Sequence, residues 1–409
     1  MGSFSTLGIE NLELIWNKNC LSYHGGLFAK EDLTKEKCAF LNDEQDTIDY
    51  EEEEVYAKPL NEVVIRLNLM GYSLQGCRQR FNSLIKECLE HESKHISFND
   101  YQDLIKAIDI NKIQENKEAL WTEEGFDLGE FARIIFSDQE LNGRCKKFGF
   151  ENKWDFSFFE NIDPYITLRL LGENPVNLEK RIIWRFKDVL EGGWSNIEDV
   201  HEGVGAKSQF LIITEGSTDT QIIKTALSKL KPDIASFFTF IDMEKNYPFG
   251  GASNLYKFCQ GLVKINIMNT ILVILDNDVT GNQEYQNIAK LPLPHNMRVV
   301  RLPELSEFQK VKTVGPNNKH EYLDINGAAV SIECFLDFEY DSNDEAIIRW
   351  IQWDQSAKKY QGRLDNKEKL QKKFFDAIKN NGSAYNYQKL SYLTDFIYSE
   401  CVKLSSRSD

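Results

Sequence analysis

Between residue 209 and about residue 340, short unbroken apolar runs alternate with segments whose apolar positions recur every three or four residues. Phe210–Thr214 predicts a strand, and Thr220–Leu230 a helix that turns Ile222, Ile223, Ala226 and Leu227 inward. "SFFTFIDM" predicts a second strand and "GGASNLYKFCQGLVK" a helix entered through Gly250 and Gly251. "NTILVILDND" predicts a third strand and "NMRVVRLPE" a fourth. Strands of continuous Ile, Leu and Val separated by helices indicate an α/β domain with a parallel sheet covered on both faces. In such sheets the working site lies beyond the carboxyl ends of the strands.

The flanks follow other patterns. Residues 1–200 predict a mixed α+β domain. "TLGIENLELIW" and "CLSYHGGLF" are strand-like, "NDEQDTIDYEEEEVY" reads as a solvated acidic connector, and "CRQRFNSLIKECLEHE" sets Phe81, Leu84, Ile85 and Leu89 on one helical face. From 101 to about 200 the pattern is mainly helical, through "YQDLIKAIDI", "GEFARIIFSDQEL" and "PYITLRLLGENPVNLEKRIIWRFKDVL". Gly192-Gly193 and the polar stretch to Ser208 read as a linker, so the α/β domain is placed at 205–340. Residues 341–409 predict a helical C-terminal segment, and no internal repeat is visible.

Composition narrows the classes. A chain of 409 residues with 42% hydrophobic content can build more than one core. It has no apolar run long enough to span a membrane, and its N-terminus lacks the basic and apolar regions of a secretory leader. "MGSFST" fits the loose myristoylation pattern, but the residues behind it read as a strand. The eight cysteines are scattered with no C-x-x-C pair, which argues against a zinc ribbon or a disulfide framework and for a reducing cytoplasm. A net charge of −16 excludes a general polyanion binder. Residues 341–409 are the exception, with 12 Lys/Arg against 10 Asp/Glu. This is the segment suited to a phosphate backbone. Its Tyr360, Tyr385, Tyr387 and Tyr392 are candidates for base stacking or, with more weight, for core packing.

The chemistry sits where the apolar runs stop. "FLIITEGSTD" ends in Glu215 and Asp219, and "TILVILDNDV" in Asp276 and Asp278. Asp219 also suits a helix N-terminus, and each motif alone is an ordinary turn. Together, beyond strands of one parallel sheet, they bring like charges to one end of it. Carboxylates converging at about 4–6 Å raise one another's pKa unless a cation neutralises them. Oxygen donors without His or Cys indicate a hard ion, Mg²⁺ or Mn²⁺.

These residues resemble the motifs of a Toprim domain, in which a Glu closes the first strand and a D-x-D the third; the matching positions are Glu215, Asp276 and Asp278. Asp219 in "EGSTD", Gly250-Gly251 before the second helix, and Ser331 and Glu333 in "AAVSIECFL" are similar to the branch that includes the OLD (overcoming lysogenization defect) nucleases. The resemblance implies a two-metal nuclease with Glu215, Asp219, Asp276, Asp278 and Glu333 as ligands. It also implies a lysine after the last acid, for which Lys372 and Lys373 in "KLQKKFFDAIKNN" are the candidates. DNA is the favoured substrate, with tRNA or other structured RNA as the alternative.

The first half resembles the HEPN/Toprim-associated domain through its opening "MGSFSTLGI". That domain precedes either a Toprim nuclease or a HEPN ribonuclease, and a HEPN site needs Arg four to six residues before His. None of the six histidines has that spacing; Arg78 and Arg80 are too far before His91. The Toprim reading follows, and by analogy a role in prokaryotic antiphage defence. "GVGAKS" is not a phosphate-binding loop, because Ala206 separates glycine from lysine and the stretch precedes its strand. Nucleotide control would therefore need a separate ATPase or sensor subunit, and a homodimer or a latent nuclease awaiting such a partner remains open.

Overall fold

The computed structural model describes residues 2–42, 47–88, 96–115, 128–205, 209–241, 251–265, 267–339, 346–380 and 384–406. The chain divides after Lys207 into two compact units.

In the first unit, β1 (Phe4–Ile9), β2 (Leu12–Lys18), β3 (Leu33–Asn42), β4 (Thr47–Pro59) and β5 (Arg181–Arg185) form an antiparallel sheet in the order β2-β1-β5-β4-β3. Strand alternation sorts its side chains. Leu7, Ile9, Tyr56, Ile182 and Trp184 enter a large core with helices including Leu60–Leu69, Phe98–Lys106 and Pro164–Leu171. Cys38, Val55, Ala57 and Ile183 form a small cluster of their own on the opposite face.

Two expectations are corrected here. Glu51–Glu54, read as a solvated connector, belong to β4, with Lys35 opposite Glu54 and Lys37 opposite Glu52. Glutamate is a poor strand former, but opposite charges across a ladder offset that, and buried Glu53 pairs with Arg185. "RIIWR", read as helical, is the central strand β5. A short apolar run buried on both faces has no period to separate it from a helix turn. Residues 43–46, Leu89 and His91 lie outside the described residues.

The second unit is mixed α/β. Strands β6 (Phe210–Ile213), β7 (Phe238–Phe240), β8 (Thr270–Leu275) and β10 (Met297–Arg301) form a parallel sheet in the order β10-β8-β6-β7. Helices Ser217–Leu230, Ala252–Lys264 and Val279–Ala289 connect them, and the last helix, Gln388–Ser405, packs on Ser217–Leu230 and β8. One face of the sheet is covered by Leu255, Cys259, Leu262 and Ile288 over Ile213, Val273 and Leu275. The chain leaves β6 for β7 on one side and then crosses to β8 on the other. The switch point therefore falls between β6 and β8, the position where open α/β sheets bind ligands.

A short antiparallel bridge joins β9 (Asn277–Asp278) to β13 (Ala329–Val330). A second sheet has the order β12-β11-β14-β15, from β11 (Val311–Val314), β12 (His320–Leu323), β14 (Ile348–Asp354) and β15 (Lys359–Leu364). The C-terminal segment, read as helical throughout, is helical at Lys367–Lys379 and Gln388–Ser405 but begins with the β14–β15 hairpin. A register shift between Trp350 and Gln352 breaks the alternation by which the strand could have been read. Among the described residues no helix is long and apolar enough to cross a membrane.

Candidate active site

Strand β6 ends at Ile213, and Thr214 follows, with its hydroxyl donating to the Gly216 carbonyl at 2.9 Å. Glu215 thus emerges at the carboxyl end of β6, where its carboxylate accepts from the backbone N–H of Asp276 at 2.8 Å. Asp219 lies in the first turn of the following helix and accepts from Gly216 N–H at 3.0 Å. Gly251 has φ +87°, a conformation that favours glycine, and its N–H reaches the Glu215 carbonyl at 3.1 Å. Gly250 lies outside the described residues.

Beyond β8 the two aspartates flank Asn277, which is buried, while both remain partly exposed. Asp278 caps the helix Val279–Ala289, accepting from Gly281 N–H at 2.7 Å. A Cβ at Gly281 would stand 2.2 Å from the Asp276 carbonyl oxygen, so glycine is what lets this helix close onto the acidic loop. Gln361 of β15 donates to the other Asp278 carboxylate oxygen and accepts from Val279 N–H at 2.9 Å.

Glu333 lies on the one-turn helix Ile332–Phe335 that follows β13, and it is buried. Ser331 donates to it at 2.6 Å and Gln371 at 2.9 Å, and the Lys367 ammonium stands 3.0 Å away. Lys372 is exposed on the helix that carries Lys367, and Lys373 is half-buried there; the lysine that pairs with a site carboxylate is Lys367. The motifs did not point to Lys367, Gln361 or Gln371. One local signal existed: Lys367 opens its helix, where the dipole disfavours a cation.

Electrostatics bind these groups into one cluster. Burial raises Glu215 to about 7, with Asp278 and Asp219 adding to the rise and the Asp276 N–H opposing it. Burial raises Asp219 to about 7, with Glu333 adding and Lys367 opposing. Asp276 is pushed well above the usual range by burial and then by Asp219, Glu215 and Asp278. Burial also pushes Glu333 upward, but the Lys367 charge and the bonds from Ser331 and Lys367 outweigh it, and the net shift is down. Among the described residues, five carboxyl groups thus gather about one ammonium.

Among the described residues no group of three or more His, Cys, Asp or Glu side chains is arranged to hold a metal ion. Glu215, Asp219, Asp278 and Glu333 are instead each engaged by an N–H, amide or ammonium donor. The donor set still fits Mg²⁺ or Mn²⁺: every donor is a carboxylate oxygen, and their mutual repulsion calls for a cation. Mg²⁺ is commonly held by only one or two carboxylates together with water and substrate phosphate.

A family model for the HEPN/Toprim N-terminal domain 1 matches residues 1–208. The chain belongs to that family. The HEPN/Toprim N-terminal match ends where the first compact unit ends, so the carboxylates lie in the unit that follows it. No curated protein and no solved structure matches this chain.

Proposed function

We propose that the second unit is a Toprim nuclease that hydrolyses phosphodiesters, with DNA as the favoured substrate. The observation that carries this reading is the gathering of Glu215, Asp219, Asp276 and Asp278, with Glu333 and Lys367, around the switch point between β6 and β8. The HEPN/Toprim membership of the first unit supports it, because that name ties the domain to nuclease modules. The missing Arg–His spacing supports the Toprim arm over the HEPN arm.

Glu215, Asp219, Asp276, Asp278 and Glu333 would hold the divalent ions, Mg²⁺ or Mn²⁺. When bound, such ions lower the pKa of a water and stabilise a leaving oxygen. The chain's own residues do the rest. Glu215 and Asp219 titrate near neutrality without a cation, so each carboxyl can hold a proton and release it when positive charge arrives. The Asp276 N–H and Gln361 fix the Glu215 and Asp278 carboxylates in direction, so little reorganisation is needed when substrate enters. Lys367 orients Glu333 and brings fixed positive charge toward the site where a phosphoryl group gains negative charge. A cytoplasmic antiphage role, with an ATPase or sensor partner, completes the proposal on family analogy alone.

The test is purified protein against supercoiled plasmid and total tRNA with Mg²⁺, Mn²⁺ or EDTA, beside Asp276→Ala. Metal-dependent cutting of plasmid that disappears in the variant is the expected result. Cutting of tRNA alone would move the substrate to RNA, and cutting that survives the variant would overturn the site.

A further inference from the structure

We infer that the β14–β15 hairpin and the helix behind it form the surface on which an unpaired nucleic acid strand lies as it enters the carboxylate site. This rests on the nuclease reading for its direction, but the surface stands on separate observations. Residues 346–380 carry nine Lys/Arg against four Asp/Glu in a chain whose net charge is −16. Arg349 and Arg363 are direct cross-strand partners on the hairpin. Like charges opposite one another destabilise a ladder, and of these two only Arg349 has an acid beside it among the described residues. Arg349 is tied to Asp365 at 2.8 Å. Arg363, Lys358 and Lys359 are exposed and make no ion pair among the described residues.

The cations lie beside the acids. Alternation along β15 puts Lys359 and Arg363 on the same strand face as Gln361, the residue that grips Asp278. The hairpin is pinned there by Gly362 N–H to the Ala328 carbonyl at 3.0 Å and by Gln283 to Asp354 at 3.1 Å. The other face carries Tyr360 and its cross-strand partner Trp353, rings 4.9 Å apart and edge to face. These rings are left open, Trp353 at 47% and Tyr360 at 40% exposure.

Cations next to the reacting end and open aromatic rings one strand-face away suit one class of ligand. A duplex keeps its bases stacked inside and would meet only the cations. An unpaired strand can run its phosphates past Arg363 and Lys359 and turn bases over the hairpin onto Trp353 and Tyr360. Single-stranded DNA and single-stranded RNA share this chemistry.

The experiment uses the full chain in EDTA, where no metal-dependent turnover occurs. Fluorescence anisotropy would compare oligo-dT, oligo-rU and a mixed-sequence duplex of equal length. Single strands should bind more tightly than duplex, and the dT and rU arms tell which sugar is preferred. Trp353→Ala with Tyr360→Ala should weaken single-strand binding about tenfold or more and leave duplex binding alone. Trp353→Phe should retain it, and Lys359→Gln with Arg363→Gln should flatten the salt dependence for both. Duplex binding as tight as single-strand binding, no binding at all, or no effect of the aromatic pair would each overturn the inference. Cutting in Mn²⁺ that ignores the aromatic substitutions would also sink it while leaving the nuclease reading intact. Tight single-strand binding with no cutting in any metal would do the reverse.

Discussion

The Lys367 ammonium stands 3.0 Å from the Glu333 carboxylate, the one site carboxyl that the structure holds below its usual pKa while Glu215, Asp219 and Asp276 rise. On the proposed nuclease reading, this positive charge would act on substrate as well as on Glu333. Lys367→Met should lower the cleavage rate by about 10²–10³-fold, the scale for losing one preorganised charge donor. Lys372→Met, on an exposed position of the same helix, should stay near wild type. Equal losses in the two variants would return the lysine role to the later part of the helix.

Burial of these carboxyls, with their mutual repulsion adding to it, makes the apoprotein less stable than it need be. Glu215 binds its proton more tightly folded, at about 7, than unfolded, at 4.5. The native state therefore holds its full margin from this group below pH 4.5 and loses it as pH rises through about 7. At pH 8 in EDTA, Asp276→Asn should raise the melting temperature, by an amount corresponding to about 1–3 kcal/mol. It should also abolish activity. Adding Mg²⁺ should stabilise the wild type at pH 8 more than at pH 6, and the variant little at either. A lower melting temperature for Asp276→Asn would show that the carboxylate is structurally required.

What the sequence made legible follows from what is local. Strands β6 and β8 are runs made mostly of Ile, Leu and Val, and Glu215, Asp276 and Asp278 follow them directly, so these elements and their acidic tips could be read from the sequence. Lys367 and Gln361 could not be read, because their roles depend on where a distant helix and hairpin dock. The strands β4 and β5 failed for physical reasons of their own. Glu51–Glu54 are strand-stable only opposite Lys35 and Lys37, and Arg181–Arg185 only between β1 and β4. Both are tertiary effects that override local propensity.

Gln361 bridges the Asp278 carboxylate and the N–H of Val279, so it fixes the acid and the start of its helix together. Gln361→Ala should reduce cleavage by about tenfold with little change in melting temperature, as outer partners of ligating groups do. Gln361→Glu should be worse, because it adds a further negative charge beside Asp278. If Gln361→Ala unfolds the chain instead, the residue is a structural tie and not a positioning one.

In the first unit, His24 is buried with its Nδ1 3.1 Å from the Tyr165 hydroxyl and its ring edge-to-face with Trp184. Burial lowers its pKa from 6.5 to about 4. A histidine held neutral when folded contributes stability above its unfolded pKa, and that stability is lost as pH falls from 6.5 through about 4. The loss is about 3 kcal/mol at most, enough to matter in a domain of ordinary stability. His24→Phe gives up the Tyr165 bond, so it should melt lower at pH 7.5. It has no proton to bind, so its melting temperature should fall less steeply between pH 6.5 and 4 than that of the wild type. Parallel acid limbs for the two proteins would assign the acid sensitivity to other groups.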